Sequence, residues 1–330
     1  MILRVESGPL LVQRLRMTRR EFIASSAALA IATGASAQTA SAGRRMKIAL
    51  TPGSIGVSVK SQKELNDLAH RHKFEAVEPM AGALAAMSVD QMAETLGDLK
   101  AKSLVWAAAG LPVDFRGEDA AFREGMAKLP AIAAGLKRAG VGRMGTWLSP
   151  SHARLTYLAN FKQHADRLRE VATVLKDHGV RFGLEYVGTR LLWTGKKYPF
   201  IHTMAETREL IEAIGTGNVG LVLDTWHWWQ AGDSVEDIAA LKPEEVVTVD
   251  LNDAPRDVDK ALQKDNEREL PAATGVIDIA GFLNALHRIA YDGPARPEPF
   301  NKILNAMDND AACAASSAAL HKAMELVRPG

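Results

Sequence analysis

The chain has 330 residues, of which 47% are hydrophobic and 24% charged, and its formal net charge is +1. Those proportions describe a globular protein with a sizeable core, and a near-neutral balance lacks the basic field that nucleic acid requires. The single cysteine, Cys313, excludes an internal disulfide framework and a cysteine-built zinc site.

The first 42 residues read as a segment apart from the fold. The stretch "TRREFIASSAALAIATGASAQTASA" carries Arg19 and Arg20, then Phe22 and Ile23, an alanine-rich run, and small-residue cleavage sites at 35–37 or 40–42. It resembles a twin-arginine export signal, which implies passage through the twin-arginine translocase and a periplasmic location. The run is too short and weakly apolar for a stable membrane span, which needs about 20 apolar residues. Met17 offers an alternative start. Removing residues 1–37 takes away Arg4, Arg14, Arg16, Arg19 and Arg20 against Glu6 and Glu21, which leaves a net charge of about −2. Residues 43–330 are then a single catalytic domain.

From residue 45 onward short strand-like runs alternate with helical stretches. Expected strands are 46–50, 75–79, 103–109, 142–147, 181–186, 219–224, 246–251 and 293–299. Expected helices are 62–71 and 89–101, with Ser61 and Ser88 as N-caps, then 119–139 with Pro130 as a kink. Those at 157–178, 203–214, 234–241, 277–289 and 309–327 complete the set. Apolar residues at 158, 161, 165, 168, 171, 172 and 175 follow the 3.6-residue period of a half-buried helix. Eight strand–helix pairs in a chain of this length predict a (β/α)8 TIM barrel. An open doubly wound sheet ranks lower, because "TPGSIGVS" after the first strand does not match a dinucleotide-binding glycine pattern. Pro294, Pro297 and Pro299 make the eighth strand the weakest, since each removes a ladder donor.

Catalytic groups of such a barrel stand at the carboxyl ends of its strands. There the sequence places Glu78, Glu185, Asp224, Asp250 with Asp253, and Glu298, and His227 follows Asp224 by three residues. Acids converging from adjacent strands repel one another unless a cation neutralises them. An oxygen-rich set favours Mn²⁺ or Mg²⁺, with Zn²⁺, Co²⁺ or Fe²⁺ as alternatives.

The segments "GLEYVG", "LVLDTWHWW", "VVTVDLNDAP" and "YDGPARPEPF" resemble the sugar phosphate isomerase/epimerase family, the xylose-isomerase-like barrels, over essentially the whole mature chain. That resemblance implies metal ligands at Glu185, Asp224, the position of Asp250 and Glu298, and a substrate contact from His227. Asp250 departs from the family, which usually has histidine there, and makes the site more negative. Each residue also has a plainer reading: Glu185 as an arginine-paired carboxylate, Asp224 as a helix cap, His227 as a core histidine. Asp250 could equally be solvated, Glu298 a surface residue, and Glu78 a salt-bridge partner.

Trp226, Trp228 and Trp229 read as core filler, whereas Trp147 and Trp193 are candidates to stack on a sugar ring. The long connections 188–200 and 252–276 read as lid or specificity loops, and Arg190, Lys196, Arg256 and Arg268 on them could meet anionic groups, Arg268 being the candidate substrate contact. The chemistry expected is proton abstraction next to a carbonyl of a sugar or glycoside through an enediolate, with Glu185 and Glu298 as acid–base pair. Epimerisation, isomerisation and elimination from a keto-sugar or 3-keto-glycoside share that step. A non-catalytic periplasmic sugar-binding protein is the rival from another class, and an endonuclease-IV-like enzyme would need more histidines and a basic groove. A homo-oligomer stays open.

Overall fold

The structure is a computed structural model that describes residues 44–328. The expected export signal and linker, residues 1–42, lie outside the described residues. Nine strands form one sheet in which every pairing is parallel, in the order β3-β2-β1-β11-β10-β9-β7-β5-β4. They are β1 (Lys47–Leu50), β2 (Ala76–Val77), β3 (Val105–Trp106), β4 (Ala109–Gly110), β5 (Arg143–Trp147), β7 (Arg181–Glu185), β9 (Val219–Asp224), β10 (Val246–Leu251) and β11 (Pro294–Pro297).

The two ends of that order, β3 and β4, belong to the single strand expected over 103–109. The chain turns at Ala107 and Ala108, so that β3 pairs with β2 and β4 with β5. One bent stave therefore closes a ring of eight, and an alanine-rich segment with no large side chains allows the bend. The eighth stave forms despite its prolines. It is shorter than expected, and two of its buried carbonyls are met by side chains: Ser54 Oγ donates to the Pro297 carbonyl at 2.8 Å and Tyr291 Oη to that of Pro294 at 2.9 Å.

Helices follow the staves where periodicity placed them, including Gln62–Arg71, Val89–Ala101, Asp119–Ala139, Tyr157–Asp177, Met204–Ile214, Ile279–Arg288 and Asn309–Met324. Ser61 caps its helix through the Glu64 N–H, and Ser88 forms a reciprocal capping box with Gln91. The helix over Asp119–Ala139 runs on through Pro130. Trp226 and Trp228 are buried, with Trp228 packed edge-on against Phe282 at 5.3 Å, and Cys313 is fully buried. No helix among the described residues is long and apolar enough to cross a membrane.

Two loops at the carboxyl end of the barrel carry order that the sequence did not announce. Within 188–200 lie a one-turn helix, Arg190–Trp193, and β8 (Tyr198–Pro199). β8 pairs antiparallel with β6 (Ser151–His152). The loop after β10 is fastened by Asp253, whose carboxylate accepts the backbone N–H groups of Ala254, Thr274, Gly275 and Ile277. Asp253 thus pins a loop base.

Candidate metal and active site

Four carboxylates from four consecutive staves meet at the carboxyl end of the barrel. Glu185 ends β7, Asp224 ends β9, Asp250 lies in β10 and Glu298 follows β11. One oxygen from each lies within 4.8 Å of the others, and a second grouping joins Glu185, Asp224 and His227. Asp224 and Asp250 are 1% and 0% exposed and Glu185 is 7% exposed. Such proximity of like charges in a dry site is costly unless something positive sits among them.

Asp224 takes two roles that the sequence left as alternatives. Its Oδ1 caps the helix Thr225–Ala231 by accepting the His227 N–H at 2.8 Å. Its Oδ2 accepts from Asn252 Nδ2 at 2.7 Å and from Arg268 Nη1 at 2.9 Å. Capping geometry therefore fixes both the carboxylate and the first turn that presents His227.

Arg268, expected on a loop, is 1% exposed and is the organising cation of the site. Its Nη1 reaches Asp224 Oδ2 and, at 3.4 Å, Glu298 Oε2, while its Nη2 reaches Asp265 Oδ1 at 2.7 Å and His227 Nε2 at 3.1 Å. Trp226 and Phe300 flank the guanidinium at 4.8 and 5.2 Å. Burial opposes its charge, but Asp224, Asp265 and Glu298 more than offset that and raise its pKa. A guanidinium only donates, so His227 Nε2 accepts and the neutral ring carries its proton on Nδ1. Burial, reinforced by Arg268, holds the His227 pKa down to about 4.

A second arginine, Arg296, engages both oxygens of Asp250 and reaches Glu298 Oε1 at 3.4 Å. Five carboxylates, those of the cluster and Asp265, face two guanidiniums, an excess of acid that a divalent cation would offset. Glu185 offers an open position for one: its buried Oε1 has no hydrogen-bond partner among the described residues. His227 Nε2, at 3.8 Å, is too distant to be one. The donor set therefore fits a hard or borderline divalent ion.

Burial first, and the neighbouring acids second, raise the Glu185 pKa well above the ordinary carboxylate range and push Glu298 up to about 8. Without metal these two acids keep protons between pH 4.5 and 8 that they lose in the unfolded chain, opposed below pH 6.5 by His227 and His164, which burial keeps neutral. The stability of the metal-free protein should therefore fall as pH rises from 6.5 to 8. Metal-stripped protein is expected to melt lower at pH 8 than at pH 6.5, with about 2–4 °C for each kcal/mol lost. Added Mn²⁺ should raise Tm more at pH 8. Equal Tm gains at both pH values would contradict the clustered ionisation.

A cavity of about 450 Å³ opens above the cluster, lined by Trp147, Glu185, His227, Asp265, Arg268 and Glu298, with Lys196 and Phe300 also on its wall. Trp147 is 46% exposed and is held by Arg116, whose guanidinium lies 4.2 Å from the ring centroid. Trp193 stacks instead on His202 at 4.7 Å and does not line the cavity. Glu78 also stands off it; burial raises its pKa, and Arg296 is its main opposing charge. Asp265, Asn252 and Arg296 are site residues that sequence reasoning missed. Only Arg296 carried a signal, two residues before Glu298 in a strand and so on the same face.

Gly188 sets the distance between the β7 loop and the helix carrying His227. A Cβ there would lie 2.8 Å from the Ala231 nitrogen and closer still to the His227 carbonyl. Gly188→Ala is expected to destabilise the protein by about 1–3 kcal/mol, measured by urea unfolding. An unchanged midpoint would show that the helix can shift freely.

Comparison with known proteins fits this architecture. The profile of the xylose isomerase-like TIM barrel family matches residues 19–323. A xylose isomerase domain protein from Alicyclobacillus acidocaldarius superposes with a TM-score of 0.74 at 30% identity, covering 85% of this chain and 99% of that one. The chain belongs to the xylose isomerase-like TIM barrel family. It is also similar to an inosose isomerase of Halalkalibacterium halodurans, 27% identical over 135 residues. That stretch is 40% of this chain and 44% of the relative, so the match spans less than half of that protein. A zinc-bound IOLI protein shares the fold, with a TM-score of 0.70 at 20% identity over 86% of this chain and all of that one.

Proposed function

We propose that the protein is a divalent-metal-dependent isomerase or epimerase that abstracts a proton next to the carbonyl of a sugar-like substrate. The observation that carries this reading is the partnerless, buried Oε1 of Glu185 within a cluster of four carboxylates. The names of the inosose isomerase relative and the zinc-bound structural neighbour support the same class.

Glu185, Asp224 and Glu298 would hold the ion, with Asp250 the fourth carboxylate of the cluster. A divalent cation there would supply electrostatic stabilisation of the developing enediolate charge. Glu185 and Glu298 stand on staves separated by β9 and β10, and so on opposite sides of Asp224 and Asp250. One takes the proton from carbon, and the other returns it. Carboxyls whose proton affinity is lifted by burial suit transfer near neutral pH. Arg268 holds His227 neutral and occupies its Nε2, so that the unpartnered Nδ1–H is the group left to donate to a substrate oxygen, and the exposed face of Trp147 offers a stacking wall.

The test is incubation in D₂O with a panel of ketoses and 3-keto-glycosides. The expected result is deuterium at the carbon next to the carbonyl, dependent on added metal. Epimer, aldose or elimination product then identifies the outcome of the shared first step. Sugar binding without any exchange would make the protein a binding protein and overturn the proposal.

Residues 18–42 support export by the twin-arginine route to the periplasm. Replacing Arg19 and Arg20 by lysine should retain the protein in the cytoplasm on cell fractionation, and unchanged periplasmic recovery would contradict this.

A further inference from the structure

Asp250 and Arg296 are register partners on adjacent staves, β10 and β11, so the backbone itself brings them together inside the barrel. The guanidinium contacts Asp250 side-on, with Nε to Oδ1 and, at 2.8 Å, Nη2 to Oδ2. Asp250 is 0% exposed, and among the described residues its carboxylate has no other hydrogen-bond partner. The same Nη2 extends to Glu298 Oε1 at 3.4 Å. A fork centred on Asp250 cancels the charge that would attract a cation, whereas Arg268 is shared among Asp224, Glu298 and Asp265 and leaves Asp224 only partly neutralised. Glu185 is the opposite case: its Oε1 is buried and partnerless.

We propose that Arg296 is a positioning residue that withdraws Asp250 from metal coordination, so that Glu185, Asp224 and Glu298 carry the ion while the Asp250–Arg296 pair forms a neutral floor that aims Glu298. This rests on the metal-site reading above, and it reassigns the one residue that the family resemblance counted among the ligands. The pair acts as a unit: removing only Arg296 would free a buried carboxylate beside the ion, whereas removing both would leave the charge of the site unchanged.

The experiment is calorimetric titration of the full metal-stripped chain with MnCl₂. Arg296→Gln alone is expected to tighten Mn²⁺ binding about tenfold or more, because Asp250 becomes a free ligand. A merely structural role would weaken binding instead. The double variant Asp250→Asn/Arg296→Gln is expected to bind Mn²⁺ within about threefold of the unaltered protein. Should it fail to fold by circular dichroism, Asp250→Leu/Arg296→Met tests the same point with an apolar pair, a replacement that buried ion pairs often tolerate. A loss of about thirtyfold or more in a folded double variant would show that Asp250 is a ligand, and weaker binding by Arg296→Gln would show that the arginine only holds the fold; either result would overturn this assignment alone. Absence of Mn²⁺ binding by the unaltered protein would overturn the metal reading and this inference with it.

Discussion

Glu185→Gln is expected to lower turnover and deuterium exchange by about 10²–10⁴-fold, the contribution typical of a positioned general base. The substitution keeps the size of the side chain but removes the charge and the proton affinity that burial has raised. Its effect on stability should run the other way. In the metal-free protein at pH 8 Glu185 must either carry a charge among three other acids or hold a proton that the unfolded chain has lost, so replacing it with a neutral amide removes that cost, and Tm without metal should rise at that pH. A variant that is more stable and less active is the signature of a group kept for chemistry at a cost to the fold. Exchange at the rate of the unaltered protein would remove Glu185 from the mechanism, and a fall in metal-free stability at pH 8 would contradict that cost.

Arg268→Leu should be the most damaging single change to the fold of the site. The guanidinium is buried and donates to Asp224, Glu298, Asp265 and His227, so its loss strands several acids at once. Breaking a buried ion pair by removing one partner typically costs about 3–5 kcal/mol, and urea unfolding with chelator present should show a loss of that size. Arg268→Lys keeps the charge but not the planar fork, and one ammonium cannot span Asp224 and His227 together. It should recover stability in part, while the His227 pKa, read by NMR, changes because the donor that fixes its tautomer is gone. A loss below about 1 kcal/mol in Arg268→Leu would mean that the acids are not ionised together in the metal-free state.

The barrel was legible because each stave and helix advertised itself locally. An apolar strand running straight into Asp224, serines ahead of apolar-periodic helices, a strand ending on Glu185 and another ending just before Glu298 are short-range signals. Legibility ended where the structure depends on contacts between distant segments. Arg268 reaches Asp224 across 44 residues of sequence, by a path that Asp253 fixes through backbone hydrogen bonds. No periodicity encodes such a path. The two-residue ladder of β6 and β8 is too short for alternation to register, and the bend at Ala107 and Ala108 carries no proline or glycine to mark it. Of the two tryptophans proposed to meet a sugar, Trp147 faces the cavity and Trp193 packs on His202. That difference is set by the one-turn helix Arg190–Trp193 rather than by residue type.

Equilibrium dialysis of the metal-stripped chain against Mn²⁺, with the Asp224→Asn/Glu298→Gln double variant alongside, tests the cation site most directly. The account predicts one tightly bound equivalent in the unaltered protein and none in the variant at the same free concentration. No bound ion in the unaltered protein, or equal binding by both, would contradict it.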